Sequence, residues 1–289
     1  MLKSTFPLLI KFLYVVIGII LLSSLIGLFS NGIHLDPILF FQNIKHIFYS
    51  LIKPENLIVV GMNGSSYSIF PTIWPFYQYS LTLFSSSFIL SILVGMILSY
   101  VTMILPGKAA KWMIGLTSIF ESLPDIFTLV ILQLIVIKYF EATGVLLFPI
   151  AGSFGEQPYV LPILILAIIP SIQIFSIIHL FVEDELDKPY ITLAKSKGYS
   201  LTYIFFVHLM RNIIPNIFNH SKSVILLLLS NLVVLERLFN LQGLNTYLFT
   251  YPEPNIIAFS LIMLYLPIFG FYLLINGFTV WKTGQRVEM

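Results

Sequence analysis

Five histidines, His34, His46, His179, His208 and His220, are the most chemically versatile side chains in this 289-residue sequence, able to serve as bases, proton carriers or metal ligands. Their spacing argues against most of that chemistry. No His-Glu-x-x-His run sets two rings on one helical turn, and His179 with Glu183, four residues apart, supplies only two of the ligands a zinc site needs. There is no cysteine, which removes disulfides, thiolate metal ligands and cysteine nucleophiles. Neither Gly-x-Ser-x-Gly nor a phosphate-binding Gly-x-x-x-x-Gly-Lys occurs, and Gly61-Met-Asn-Gly-Ser-Ser66 has no lysine after it and no expected strand before it. No metal site and no catalytic residue is expected. Glu121 and Asp125 remain, four apart with Pro124 beside them; such a pair could contact an amine or a cation, or could simply bond to neighbouring helices.

The elements that must position these residues follow from composition. At 58% hydrophobic and 10% charged, the chain departs from soluble domains, which are roughly 45–50% apolar and about 25% charged. A net charge of +2 gives no footprint for nucleic acid. Six apolar runs are long enough to cross a bilayer as helices: about 12–29, 81–105, 112–137, 160–182, 216–238 and 256–280. The expected fold is all-α and polytopic. Placing the N-terminus in the cytoplasm puts ten Lys and Arg residues inside, among them Lys108, Lys111, Lys188, Lys195, Lys197, Arg211 and Arg286, and leaves Lys45 and Lys53 outside, so both termini are expected to be cytoplasmic. A cleaved leader is the competing reading of residues 1–30, but its apolar run exceeds the usual 7–15 residues.

Between the spans, the outside segment 30–75 holds Leu39, Phe40, Ile44, Ile47, Phe48 and Leu51 at helical spacing, read as a short helix on the membrane surface or packed in an outer cap. The segment 183–211 is different. It concentrates Glu183, Asp184, Glu185 and Asp187 with Lys188, Lys195, Lys197 and Arg211. Asp187 is an expected N-cap, Pro189 suits a first helical turn, and Gly198 supplies a left-handed end. Tyr190, Leu193 and Ala194 are expected on one face of that short helix, which is marginal alone and needs something to pack against. A second helix is expected from Ser200 over 201–214, ending at Pro215.

These residues resemble a known family. Asp187-Lys-Pro-Tyr-Ile-Thr-Leu-Ala-Lys-Ser-Lys-Gly198 is similar to the "YVRTARAKG" run, and His208-Leu-Met-Arg211-Asn212-Ile-Ile-Pro215 to the "HALRNAxxP" run, of the dipeptide and oligopeptide permease group of binding-protein-dependent ABC importers. Glu236, Phe239 and Gly243-Leu244 are similar to its "VxxExxF…PGLG", Tyr251-Pro252 to its "DYP", and Phe148-Pro149, Gly152 and Leu161-Pro162 to its "FPxxG…LP". The resemblance covers roughly residues 75–285. Departures are Thr192 and Leu193 in place of the signature's Glu and first Ala, Asn245 in place of a second glycine, and no "DPR" ending over Lys282–Met289.

The resemblance implies a type I ABC importer transmembrane domain, residues 76–289, preceded by a first helix and outside loop, 1–75. It implies a coupling loop at 183–211 whose Asp187, Tyr190, Thr192, Leu193, Ala194, Lys195, Lys197 and Gly198 meet an ATPase, with His208, Arg211, Asn212, Pro215, Glu236, Phe239 and Gly243 in structural roles. Its implied partners are a second homologous permease, two cytoplasmic ATPase domains that bind the ATP and Mg²⁺, and an extracytoplasmic solute-binding lipoprotein; this chain would carry no cofactor. The implied location is a bacterial inner-type cell membrane, and the implied cargo is peptides or similar small solutes. Glu121 and Asp125 are candidates for the pathway. Other readings are a secondary transporter coupling an ion through Glu121 and Asp125, and a polytopic membrane enzyme.

Overall fold

A computed structural model describes residues 2–28, 35–61, 64–149, 151–152 and 157–283. His34, Arg286, the chain end after Thr283, and residues 62–63 of the glycine-rich turn lie outside the described residues. The described chain is mostly helical, and six of its helices are long and apolar enough to cross a membrane. By spatial contact it divides into two units, one built from residues up to Leu81 and from Gln242 onward, the other from Thr82–Leu241. This grouping cuts the chain differently from the sequence-based 1–75 and 76–289.

In the first unit, α1 (Leu2–Leu28) packs against α2 (Pro37–Ile52) and α11 (Pro254–Thr283). The start of α2 is set by Asp36, whose carboxylate accepts the Leu39 N–H at 3.0 Å, and by Pro37 in the first turn. On this helix Ile47 is fully buried and α2 contacts both neighbours, while Phe48, expected on the apolar face, points outward at 60% exposure and Ile38, Phe41 and Ile52 are exposed as well. A strand does precede the glycine-rich turn, contrary to expectation. β1 (Ile58–Val60) pairs antiparallel with β2 (Ser66–Ser68), Val59 opposite Tyr67. Alternation explains it, because Val59 is buried while Ile58 and Val60 are exposed, and Gly64 at φ 75° closes the turn. Leu57, Val59, Ile69, Ile73, Leu244, Tyr247 and Ile256 form one apolar core. That core draws α3 (Ile69–Ile104) back twelve residues before the expected start at 81, and Thr72 and Tyr247 share a hydrogen bond across it at 3.1 Å. The short α10 (Leu244–Thr250) is fixed by its first amide, which donates to Ser80 Oγ at 2.7 Å.

The second unit is organised by the last half of α3 and by α6 (Val160–Leu186), which run parallel. Ser87 donates to the Ile163 carbonyl, Ser91 to Ala167 and Ser99 to Phe175, at 3.1, 3.2 and 3.3 Å. Gly95 fills the fourth place in this series. A Cβ there would meet Ile174 Cγ2 at 2.7 Å and the Ser171 carbonyl at 2.9 Å. Small residues at four-residue spacing thus let two backbones approach closely in an apolar setting. The expected span 112–137 is broken: α4 (Gly107–Glu121) and α5 (Asp125–Thr143) are separate helices, because Pro124 disfavours a helical conformation at Leu123 and removes an N–H. Likewise α6 runs past Val182 to Leu186. Pro215 does not end a helix; it lies buried inside α9 (Met210–Leu238), which packs along α6. Burial in that packing outweighs the hydrogen bond the proline forgoes.

Candidate functional site

The charged segment after α6 folds as α7 (Pro189–Ser196), α8 (Leu201–Tyr203), a π-helical turn over Ile204–Leu209, and the start of α9. Pro189 stands in the first turn of α7 as expected, but the N-cap is Lys188, with no side-chain cap bond; Asp187 instead closes α6. The far end of α7 is a Schellman closure: Gly198, at φ 79°, donates to the Lys195 carbonyl at 3.0 Å and Tyr199 to the Ala194 carbonyl at 3.3 Å. Ser200 then caps α8, accepting the Tyr203 N–H at 3.3 Å.

Only part of the expected α7 face is buried. Ala194 is 4% exposed and Ile191 fully buried, packed toward the π turn and α6, whereas Leu193 turns outward at 55%. An i, i+3 pair suffices to bury one side of a two-turn helix, so Leu193 is left with Thr192, Lys195 and Lys197 on the open side.

Tyr190 holds the segment together. Its hydroxyl donates to Glu185 at the end of α6, a carboxylate that also accepts from Lys188, and its oxygen bonds to the side chain of Asn212 in α9. Three elements therefore meet on one phenol. Burial, reinforced by the Glu185 carboxylate, pushes the Tyr190 pKa up to about 12, while the Asn212 bond pulls the other way. Asn212 thereby acquires a physical reason for its place beside Arg211, which is exposed. His208 sits in the π turn beside the stacked rings of Tyr199 and Tyr203, with centroids 5.9 and 5.5 Å away, and its Nε2 is buried without a hydrogen bond.

The remaining expected residues are distributed elsewhere. Glu236 and Phe239 are fully buried at the end of α9, where Asn240 adopts a left-handed φ of 50° and Leu241 donates to the Glu236 carbonyl at 2.9 Å. Gly152 donates to the Phe239 carbonyl at 2.9 Å and accepts from Asn240 Nδ2 at 3.2 Å; a Cβ on it would lie 2.5 Å from the Asn240 carbonyl oxygen. Gly243 precedes α10 with extended backbone. Glu121 and Asp125 do not share a helix face: Glu121 ends α4 and accepts a 2.6 Å bond from Ser176 of α6, and Asp125 opens α5, where a carboxylate suits the helix dipole. The Tyr190 link between Glu185 and Asn212 was not read from the sequence, because its partners lie on opposite sides of two helix breaks; the π turn likewise has no sequence signal.

Six apolar helices, with a clamped charged helix between the fourth and fifth of them, are the architecture of a multi-pass membrane protein. Residues 91–282 match the family described as binding-protein-dependent transport system inner membrane component, and the chain belongs to that family. It is the permease component of an ABC transporter, with a type I transmembrane domain, and the family's ATPase activity resides in partner subunits. No match was found among curated protein sequences.

Proposed function

We propose that this chain forms one side of the pathway of an importer for peptides or similar small solutes, paired with a second homologous permease. Two ATPase domains hold the ATP and Mg²⁺, one of them docking on the open side of α7 through Thr192, Leu193, Lys195 and Lys197, and an extracytoplasmic solute-binding lipoprotein delivers the cargo. The setting is a bacterial inner-type membrane with both chain ends in the cytoplasm, as the distribution of Lys and Arg supports.

The observation that carries this reading is the three-way bond at Tyr190. A helix of eight residues has little stability of its own, yet α7 is tied at one end to α6 and Asn212 and closed at the other by Gly198, so a push on it is delivered to two spans. A solvated connection would need no such fixing. Exchanging Leu193 for Cys and probing for disulfide or bifunctional cross-links to a co-expressed ATPase subunit tests the reading. Cross-links dependent on position 193, and absent at position 191, are expected. Transport that survives ATP depletion and collapses with an ionophore would replace it with gradient-driven carriage.

A further inference from the structure

Helix α6 has two unlike sides. Along one, Ile174, Ile177 and Ile178 line an apolar cavity of about 360 Å³ shared with α3 and the start of α9, in which Ser221 is the only polar residue among the described lining. Along the other, Gln173, Ser176, His179 and Glu183 follow one another at three- and four-residue steps. Each has a polar contact there: Gln173 Nε2 donates to Ser223 Oγ at 3.2 Å, Ser176 to Glu121 at 2.6 Å, and His179 Nε2 stands 3.3 Å from Glu183. The Gln173 carbonyl oxygen is buried without a partner. Leu180, between them on the same side, is 57% exposed, and Gln173, Ser176 and His179 are half-buried.

Polar and ionisable groups within a span are costly against lipid tails and sit where water or protein meets them. Lipid cannot fill the hydrogen-bonding capacity of Gln173 or Glu121. We infer that Gln173, Ser176, His179 and Glu183 of α6, with Glu121 reaching across from α4, form a hydrated strip that lines this chain's side of the solute route. The inference rests on the proposed importer reading and names the side chains through which it would work. The apolar side of α6 is structural; the polar side is the working one.

The chain's lack of cysteine permits a direct test. Single variants Q173C and S176C, made in the full chain assembled with its partners in membrane vesicles, are exposed to a membrane-impermeant charged thiol reagent and read by mass shift of this chain. Variant L226C on α9, whose native residue is apolar and 67% exposed, is the comparison. Modification at positions 173 and 176 at least about ten-fold faster than at 226 is expected, since charged reagent follows water and not lipid. Equal rates in an assembly that retains its ATPase would overturn the strip while leaving the importer reading intact. Loss of the ATPase from every preparation would instead count against the importer reading, and fast labelling at 173 and 176 would still report water there.

Discussion

The seam between α3 and α6 and the clamp at Tyr190 are both made of hydrogen bonds, yet they do different work. The seam repeats one device: a serine hydroxyl on α3 donates to a backbone carbonyl on α6 at every fourth residue, with Gly95 where a side chain has no room. Its strength is distributed, and its product is a rigid pair of spans. The clamp is a single phenol joining Glu185, α7 and Asn212. Burial of Ile191 and Ala194 assists it but no second bond of its kind does, and its product is the attachment of a small helix to those rigid spans. Seam variants should therefore fail in stability, and clamp variants in the link between ATP hydrolysis and transport.

The largest effect is expected at Gly95. Gly95→Leu forces a side chain against Ile174 and the Ser171 carbonyl, and because a backbone atom is among the obstacles the helices must separate. Overpacking of this kind costs about 1–3 kcal/mol or more. The detergent-solubilised chain should lose thermal stability and yield, while any assembled fraction should couple normally. Full stability in G95L would mean that the two helices are not in close contact.

Next in size is Tyr190→Phe, which keeps the ring and removes both hydroxyl bonds. The stability loss should be small, roughly 1 kcal/mol, because the site is partly solvated. Coupling should suffer out of proportion: ATPase turnover persists while transport per ATP falls several-fold. A pH series gives the same test in the native chain. The raised pKa means that the donor bond to Glu185 is fully present below pH 10 and is lost as pH rises through about 12. Coupling should be flat with pH over the lower range in the native chain, and Y190F should remove any loss that sets in above pH 10. If Y190F couples like the native chain, the clamp is structural only.

Leu193→Ala should have a milder effect. Its side chain is outward, so the fold is indifferent, and the ATPase should co-purify less well by an amount typical of one buried aliphatic contact, about 1–3 kcal/mol at most. Ile191→Ala, by contrast, should destabilise α7 itself, since Ile191 is fully buried. The reverse ranking in co-purification assays would invert the two sides assigned to α7.

How much of this was legible in the sequence depends on whether a feature repeats locally. Six apolar runs were visible because a span is a long one-dimensional signal, and Pro189, Gly198 and Ser200 were visible because cap chemistry acts within a few residues. Ser87, Ser91, Gly95 and Ser99 lie at period four in plain view, but their meaning needs α6 opposite them. The α4–α5 break was hidden by hydrophobicity that continues through Ser122–Pro124. Leu193 was grouped on one face with Tyr190 and Ala194, and only the fold shows Ala194 buried and Leu193 exposed, because helical spacing fixes which residues lie near one another but not where the edge of the buried face falls. Tyr190 was named from the sequence, whereas Glu185 and Asn212, to which it bonds, are joined to it only in three dimensions.

The smallest effect tests the seam's distributed character. Ser91→Ala removes one seam hydroxyl, whose proton is shared between the Ser87 carbonyl of its own helix at 2.6 Å and the Ala167 carbonyl across the seam at 3.2 Å, and the Ala167 carbonyl keeps a second donor in Ser171 at 2.6 Å. It also leaves a slightly smaller side chain in a contact that favours small ones. Interhelical bonds of this type are worth only about 0.6 kcal/mol on average in membranes. S91A should thus shift thermal stability by little, and the double variant S87A/S91A by about the sum of the two singles, because each bond is local to its own turn. A loss in the double well beyond that sum would show that the hydroxyls act as one cooperative unit, and the seam would then resemble the clamp more than its repetition implies.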